Sequence, residues 1–138
     1  MASNTYFVNI AQYEHPNMPG PRHWSIIFME SNDKMTPGTV YEVIGSPRRY
    51  DINGPEQVVP GKAKTFKGME TLGTIPASQL NQVEELLLNT SLEQKNRNWH
   101  CQHWVIAALD KLREAGFDIT PITHDGLLAR FNANAENK

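Results

Sequence analysis

The sequence predicts an α+β domain, an antiparallel sheet packed against at least two helices. Three observations predict it. Runs of β-branched and aromatic residues, "TYFVNI", "HWSIIFME" and "TVYEVIG", fill the first third and are separated by connectors rich in Pro, Gly, Asn and Asp. Two stretches of the second half, "PASQLNQVEELLLNT" and "NWHCQHWVIAALDKL", carry apolar residues at helical spacing. Finally, 138 residues with 39% hydrophobic and 20% charged side chains suit one folded domain over 1–138, with 1–4 and 132–138 expected to fray.

Taken in order, Thr5–Ile10 has strand composition, and "EHPNMPGPRH" reads as a loop that could serve as a mobile substrate segment. His23–Glu30 and Thr39–Gly45 predict a hairpin with a long connection. In the second of these strands Val40, Glu42 and Ile44 share one face, and Thr39, Tyr41 and Val43 the other. From Arg48 to Val59 the composition predicts a brief strand near "YDI" and then a loop. Lys62–Ile75 alternates well enough for one bent strand or two short ones, broken at Gly68. The first helix takes Ser78 as a cap, with Leu80, Val83, Leu87 and Leu88 at helical spacing. The second runs from about Trp99 to Ala115, with Asn98 as N-cap and Gly116 as the stop. "FDITPITHDGLLARF" predicts a short strand or helical turn.

A net charge of −2 gives no general pull toward nucleic acid. The locally basic residues Arg48, Arg49, Lys62, Lys64 and Lys67 read as a solvated strand face. One cysteine excludes an internal disulfide. No apolar stretch is long enough for a signal peptide or a membrane span, so a soluble, cytoplasmic protein with no integral membrane segment is expected.

The chemistry concentrates at Cys101. On the second helix Cys101, Trp104, Val105, Ala108, Leu109 and Leu112 form one apolar stripe, so the thiol faces inward. Burial alone favours an inert structural cysteine. Against that, Cys101 falls in the opening turn, where free amides and the helix dipole stabilise a thiolate. A free N–H there also suits a tetrahedral oxyanion. His23, at the start of a strand, is the candidate general base and acid if that strand packs on the helix.

"RHWSIIF", "GTVYEVIG" and "NWHCQHWV" together resemble the three motifs of the circularly permuted papain-like group. That group includes the lecithin:retinol acyltransferase-like proteins and permuted members of the NlpC/P60 superfamily. The chain is also similar to small fungal proteins with a His-Trp strand and an N-W-x-C-Q-x-W helix. The resemblance covers roughly His23 to Leu112 and implies a permuted papain-like single domain. It implies that Cys101 is the nucleophile and His23 the base. Glu42 stands where acyltransferase-like members commonly carry a second histidine; a carboxylate there can still orient the imidazolium, and its alternative is an exposed strand glutamate. Trp99 and His100, inserted between Asn98 and Cys101, are a second departure and leave the oxyanion donors open.

Trp24, Tyr41, Trp99 and His100 are candidate substrate contacts, with Trp99 roofing a cleft and His100 at its mouth. Trp24 and Trp104 read equally as core aromatics joining sheet to helix. His103 is expected on the helix flank, and Gln102, His15 and His124 at the surface. No metal is expected, because one helical turn offers too few ligands for a structural zinc, and no cofactor is implied. The expected activity is hydrolysis or acyl transfer at an amide, ester or thioester carbonyl of a small molecule or peptide, through a thioacyl intermediate. Without a membrane-anchoring tail the balance falls toward a soluble substrate. The alternatives are a non-catalytic papain-like binding module with a packed cysteine, or a tailoring enzyme of specialised metabolism using the same site.

Overall fold

The computed structural model describes residues 4–14 and 21–133. Its strands are β1 (Thr5–Tyr13), β2 (His23–Met29), β3 (Gly38–Ile44), β4 (Asp51–Val58), β5 (Phe66–Pro76) and β6 (Asp118–Ile119). Its helices are α1 (Leu80–Leu88), α2 (Cys101–Glu114) and α3 (His124–Ala133). The strands form one sheet in the order β4-β3-β2-β1-β5-β6, and every neighbouring pair is antiparallel. The α+β class follows.

The β2–β3 hairpin is as the alternation requires, with Ser25 opposite Glu42 and Met29 opposite Gly38. β5 is the bent single strand. It carries one extra residue opposite Val8/Asn9 and another opposite Ala11/Tyr13, and Gly68 lies in the second of these bulges with φ +115°. Between Asp51 and Val58 the expected short strand and loop are instead a full strand. β4 lies at the sheet edge, where Pro55 and a bulge opposite Val40/Glu42 are tolerated because half of the backbone groups need no ladder partner. α1 is shorter than predicted. A 3-10 turn, Ala77–Gln79, leads into it, and Ser78 makes no cap.

The helices cover one face of the sheet. Val8, Ile10, Trp24, Ile26, Phe28, Tyr41, Val43 and Leu72 meet Val83 and Leu87 of α1, Trp104 to Leu112 of α2, and Leu127 and Phe131 of α3. The predicted stripe of α2 is thus the buried one. On the opposite face Ala11, Ile27, Met29 and Val40 form a smaller cluster with Tyr13, Val58, Phe66 and Met69. The ends differ from the expected fraying. The Asn4 carbonyl accepts from the Ala77 amide at 2.9 Å, and Asn132 and Ala133 close α3; 1–3 and 134–138 lie outside the described residues. The basic residues do not share a strand face. Arg48 and Arg49 sit in an exposed turn, Lys62 ends the 3-10 turn Pro60–Lys62 with Lys64 just beyond it, and Lys67 is 3.9 Å from Glu14. No helix among the described residues is long and apolar enough to cross a membrane.

Candidate active site

Strand alternation places His23, Ser25 and Glu42 on the face away from the helices. The β2–β3 ladder ends at the Ser25–Glu42 pair, although β2 begins two residues earlier and β3 continues to Ile44. The start of α2 meets the sheet at this end, and the Trp24 backbone amide donates to the Cys101 sulfur.

Cys101 is the first residue of α2, one step sharper than the sequence predicts, because the N-cap is His100 rather than Asn98. His100 is extended (φ −151°, ψ −172°), and its Nδ1 accepts from the Gln102 amide at 3.3 Å. The His100 amide in turn donates to His103 Nδ1 at 3.0 Å, a capping box built from two histidines. No acidic residue lies in the first turn, so nothing there opposes an anion at the positive end of the helix dipole.

The three residues singled out from the sequence converge. His23 Nε2 lies 2.6 Å from Glu42 Oε1, and the His23 ring is also hydrogen-bonded to Cys101. With Nε2 taken by the carboxylate, Nδ1 is the nitrogen left for the sulfur. The second oxygen of Glu42 accepts from Asn53 Nδ2 at 3.3 Å, and Asn53 also donates to Glu56 at 3.0 Å. Burial alone would raise the thiol pKa of Cys101. Hydrogen bonds from His100 and His23, the charge of His23 and the Trp24 amide outweigh it and bring it down to about 6. For His23 burial opposes the charged form, but hydrogen bonds to Cys101 and Glu42 and their negative charges lift its pKa to about 9. Glu42 would be raised by burial and is instead lowered, by the His23 hydrogen bond and charge and by Asn53. Between roughly pH 6 and 9 the favoured state is therefore thiolate, imidazolium and carboxylate in a row.

Cys101 is half-buried and opens on a cavity of about 520 Å³, which it lines with Pro21, His23, Glu42, Val43, Ile44, Gly45, Pro47, Tyr50 and His100. Gly45 takes φ +99°, and a Cβ there would lie 2.4 Å from the Arg49 carbonyl oxygen. Gly45→Ala is expected to cost about 1–3 kcal/mol in urea unfolding, because the turn that walls the cavity must open. On the other side of the His23–Glu42 pair lies a second cavity of about 470 Å³, with Tyr13, Val40, Val58 and Pro60 in its wall.

Of the expected substrate contacts, His100 lines the reactive cavity. Trp24 and Tyr41 are corrected: both are fully buried, facing the helices. The Trp24 Nε1 donates to Gln12 Oε1 at 3.0 Å, and the Tyr41 hydroxyl to Glu84 at 2.6 Å. Trp99 does not line the cavity. It packs edge-on against Tyr50 at 5.3 Å, and its carbonyl accepts from the Tyr50 hydroxyl at 3.0 Å. Tyr50, which the sequence reading missed, is the aromatic in the wall, and burial with the nearby Cys101 charge raises its pKa. Gln102 and His124 are also corrected. Gln102 is 2% exposed, and the half-buried His124 ring lies on it. The imidazoles of His100, His103 and His124 gather within 6.1 Å of one another, yet no group of three or more His, Cys, Asp or Glu among the described residues is arranged to hold a metal. His15 and Met18–Gly20 of the proline-rich connector lie outside the described residues, while Pro21 lines the cavity.

Fold and site together define an α+β protein built around a thiol–imidazole–carboxylate row at a helix start. Residues 8–117 match a family of unknown function, DUF6540, and the chain belongs to that family. No curated protein and no solved structure matches it.

Proposed function

We propose that this protein is a cysteine-dependent hydrolase or acyl transferase acting on an amide, ester or thioester carbonyl. The observation that carries the reading is the contact of Cys101 with His23, itself 2.6 Å from Glu42, at the wall of an open cavity. The thiolate of Cys101 attacks the carbonyl carbon, and the oxyanion meets the Cys101 amide, the first-turn N–H not drawn into the cap. His23 gives its proton to the departing nitrogen, oxygen or sulfur, leaving a thioester on Cys101. Water or an acceptor then loses a proton to His23 and attacks the thioester, and the thiolate–imidazolium pair returns with release of acid or acylated acceptor. Glu42 keeps the ring aligned and compensates its charge.

The chain order of base strand, acid strand and nucleophile helix supports reading the sheet as permuted papain-like, and a free low-pKa thiol suits the cytoplasm. The reactive cavity has apolar walls at Pro21, Val43, Ile44 and Pro47, and no Lys or Arg lines it among the described residues. A small molecule or peptide with an uncharged acyl group is accordingly the better substrate class.

The test combines alkylation of Cys101 with turnover of p-nitrophenyl esters across pH. Alkylation needs only thiolate, so it rises through about pH 6 and then levels. Turnover needs thiolate and imidazolium together, so kcat/KM follows a bell with limbs near pH 6 and 9. Neutral butanoate esters should exceed hemisuccinate esters. Alkylation only after unfolding, with no turnover lost in Cys101→Ala, would leave the binding-module reading.

A further inference from the structure

Gln102 follows the nucleophile in sequence, and its side chain is 2% exposed. Its Nε2 donates to the Arg22 carbonyl at 2.7 Å, and its Oε1 lies 2.7 Å from His124 Nε2. Because the amide nitrogen is spent on a carbonyl, the amide oxygen must accept, which makes His124 Nε2 the donor. The Arg22 carbonyl belongs to the peptide bond that carries the His23 nitrogen. In the sheet β1 pairs with His23 through Tyr13, and the β3 ladder stops at Ser25. From the helix side the Gln102 amide binds the Arg22 carbonyl and so ties the base strand to α2. His124 anchors the far end of this link, since it opens α3 and its ring packs edge-on against Trp24 at 5.5 Å.

We infer that Gln102 is a positioning residue of this site, pinning the His23 peptide to the start of α2 so that the imidazole faces the sulfur. The inference rests on the proposed Cys101–His23 pairing. A side chain with a donor and an acceptor on one planar group fits both partners. Leucine fills the volume and offers neither; asparagine, one methylene shorter, cannot span both.

The experiment follows the pH dependence of Cys101 alkylation in Gln102→Leu and Gln102→Asn, beside wild type and His23→Ala, with circular dichroism to verify folding. Loss of the pin lets the ring drift, so the alkylation midpoint rises by about one pH unit and thiolate at pH 5 falls about tenfold. A purely structural glutamine would lower the melting temperature and leave the midpoint of the folded protein where it was. Either folded variant with an unmoved midpoint overturns the inference, provided that His23→Ala moves it. If His23→Ala leaves the midpoint in place as well, the pairing itself has failed, and the two failures are thereby told apart.

Discussion

His23→Ala is expected to separate two losses that a single assay would merge. The first is thiolate. The His23 ring contributes both a hydrogen bond and a charge to the sulfur, whereas His100, the Trp24 amide and the helix start remain in the variant. The Cys101 midpoint then rises from about 6 to roughly 8, and the thiolate fraction at pH 6 falls about 50-fold. The reaction rate with a disulfide reagent falls less, about 5- to 10-fold, because a more basic thiolate is a better nucleophile. The second loss is proton transfer. No imidazolium remains to protonate the leaving group, so ester turnover falls about 100- to 10,000-fold. The gap between the two falls is the signature of a general acid and base. Equal falls would reduce His23 to an electrostatic partner of the sulfur. Unchanged values in both assays would remove the pairing altogether. Direct thiolate absorbance near 240 nm fixes the first loss independently of any reagent.

What the sequence discloses and what it hides divide along the range of the interactions. Cys101 can be found from its local setting, whereas His23 depends on the strand packing against the helix and Glu42 is reached through the resemblance to the permuted papain-like group. Helix periodicity puts Cys101 in the first turn, and strand alternation puts Glu42 on the same face as Ser25, its partner across the ladder. Gln102 is hidden because it neighbours an apolar stripe on a helix whose polar residues otherwise face water. Its burial is decided by Arg22 and His124, 80 and 22 positions away. The cap is hidden for a similar reason. Asparagine outranks histidine as an intrinsic N-cap, yet Asn98 is exposed and His100 is the residue that turns the chain into the helix beside His103. Tyr50 opens the brief strand read near "YDI", but nothing nearby in sequence signals its bond to the Trp99 carbonyl. Only the start of β4 reads as strand in the sequence, because edge position, a tertiary property, is what makes its proline acceptable.

The two buried tryptophans give the largest expected stability effect and a means of testing whether Trp24 is core or substrate contact. Both are wholly buried between sheet and helices. Trp24 lies 5.6 Å from the Phe131 ring and 5.5 Å from His124, and its Nε1 is bound to Gln12, which is itself 2% exposed. Trp24→Ala removes that packing and leaves the Gln12 oxygen without its donor. Truncation of a buried tryptophan costs about 3–5 kcal/mol, and an orphaned buried acceptor adds about 1–3. A domain of this size holds only about 5–15 kcal/mol in all, so Trp24→Ala is expected to be largely unfolded at 37 °C or close to it. The phenylalanine variants refine the reading, because each keeps most of the ring volume and deletes the indole N–H. Trp104 Nε1 is buried without a hydrogen-bond partner among the described residues, so Trp104→Phe frees the fold from an unmet donor while Trp24→Phe creates an unmet acceptor. Urea unfolding should therefore rank Trp24→Ala as the most destabilised, then Trp24→Phe, then Trp104→Phe. If Trp24→Phe instead raised KM for the ester without lowering the urea midpoint, Trp24 would belong to the cavity wall and the packing assigned to it would be wrong.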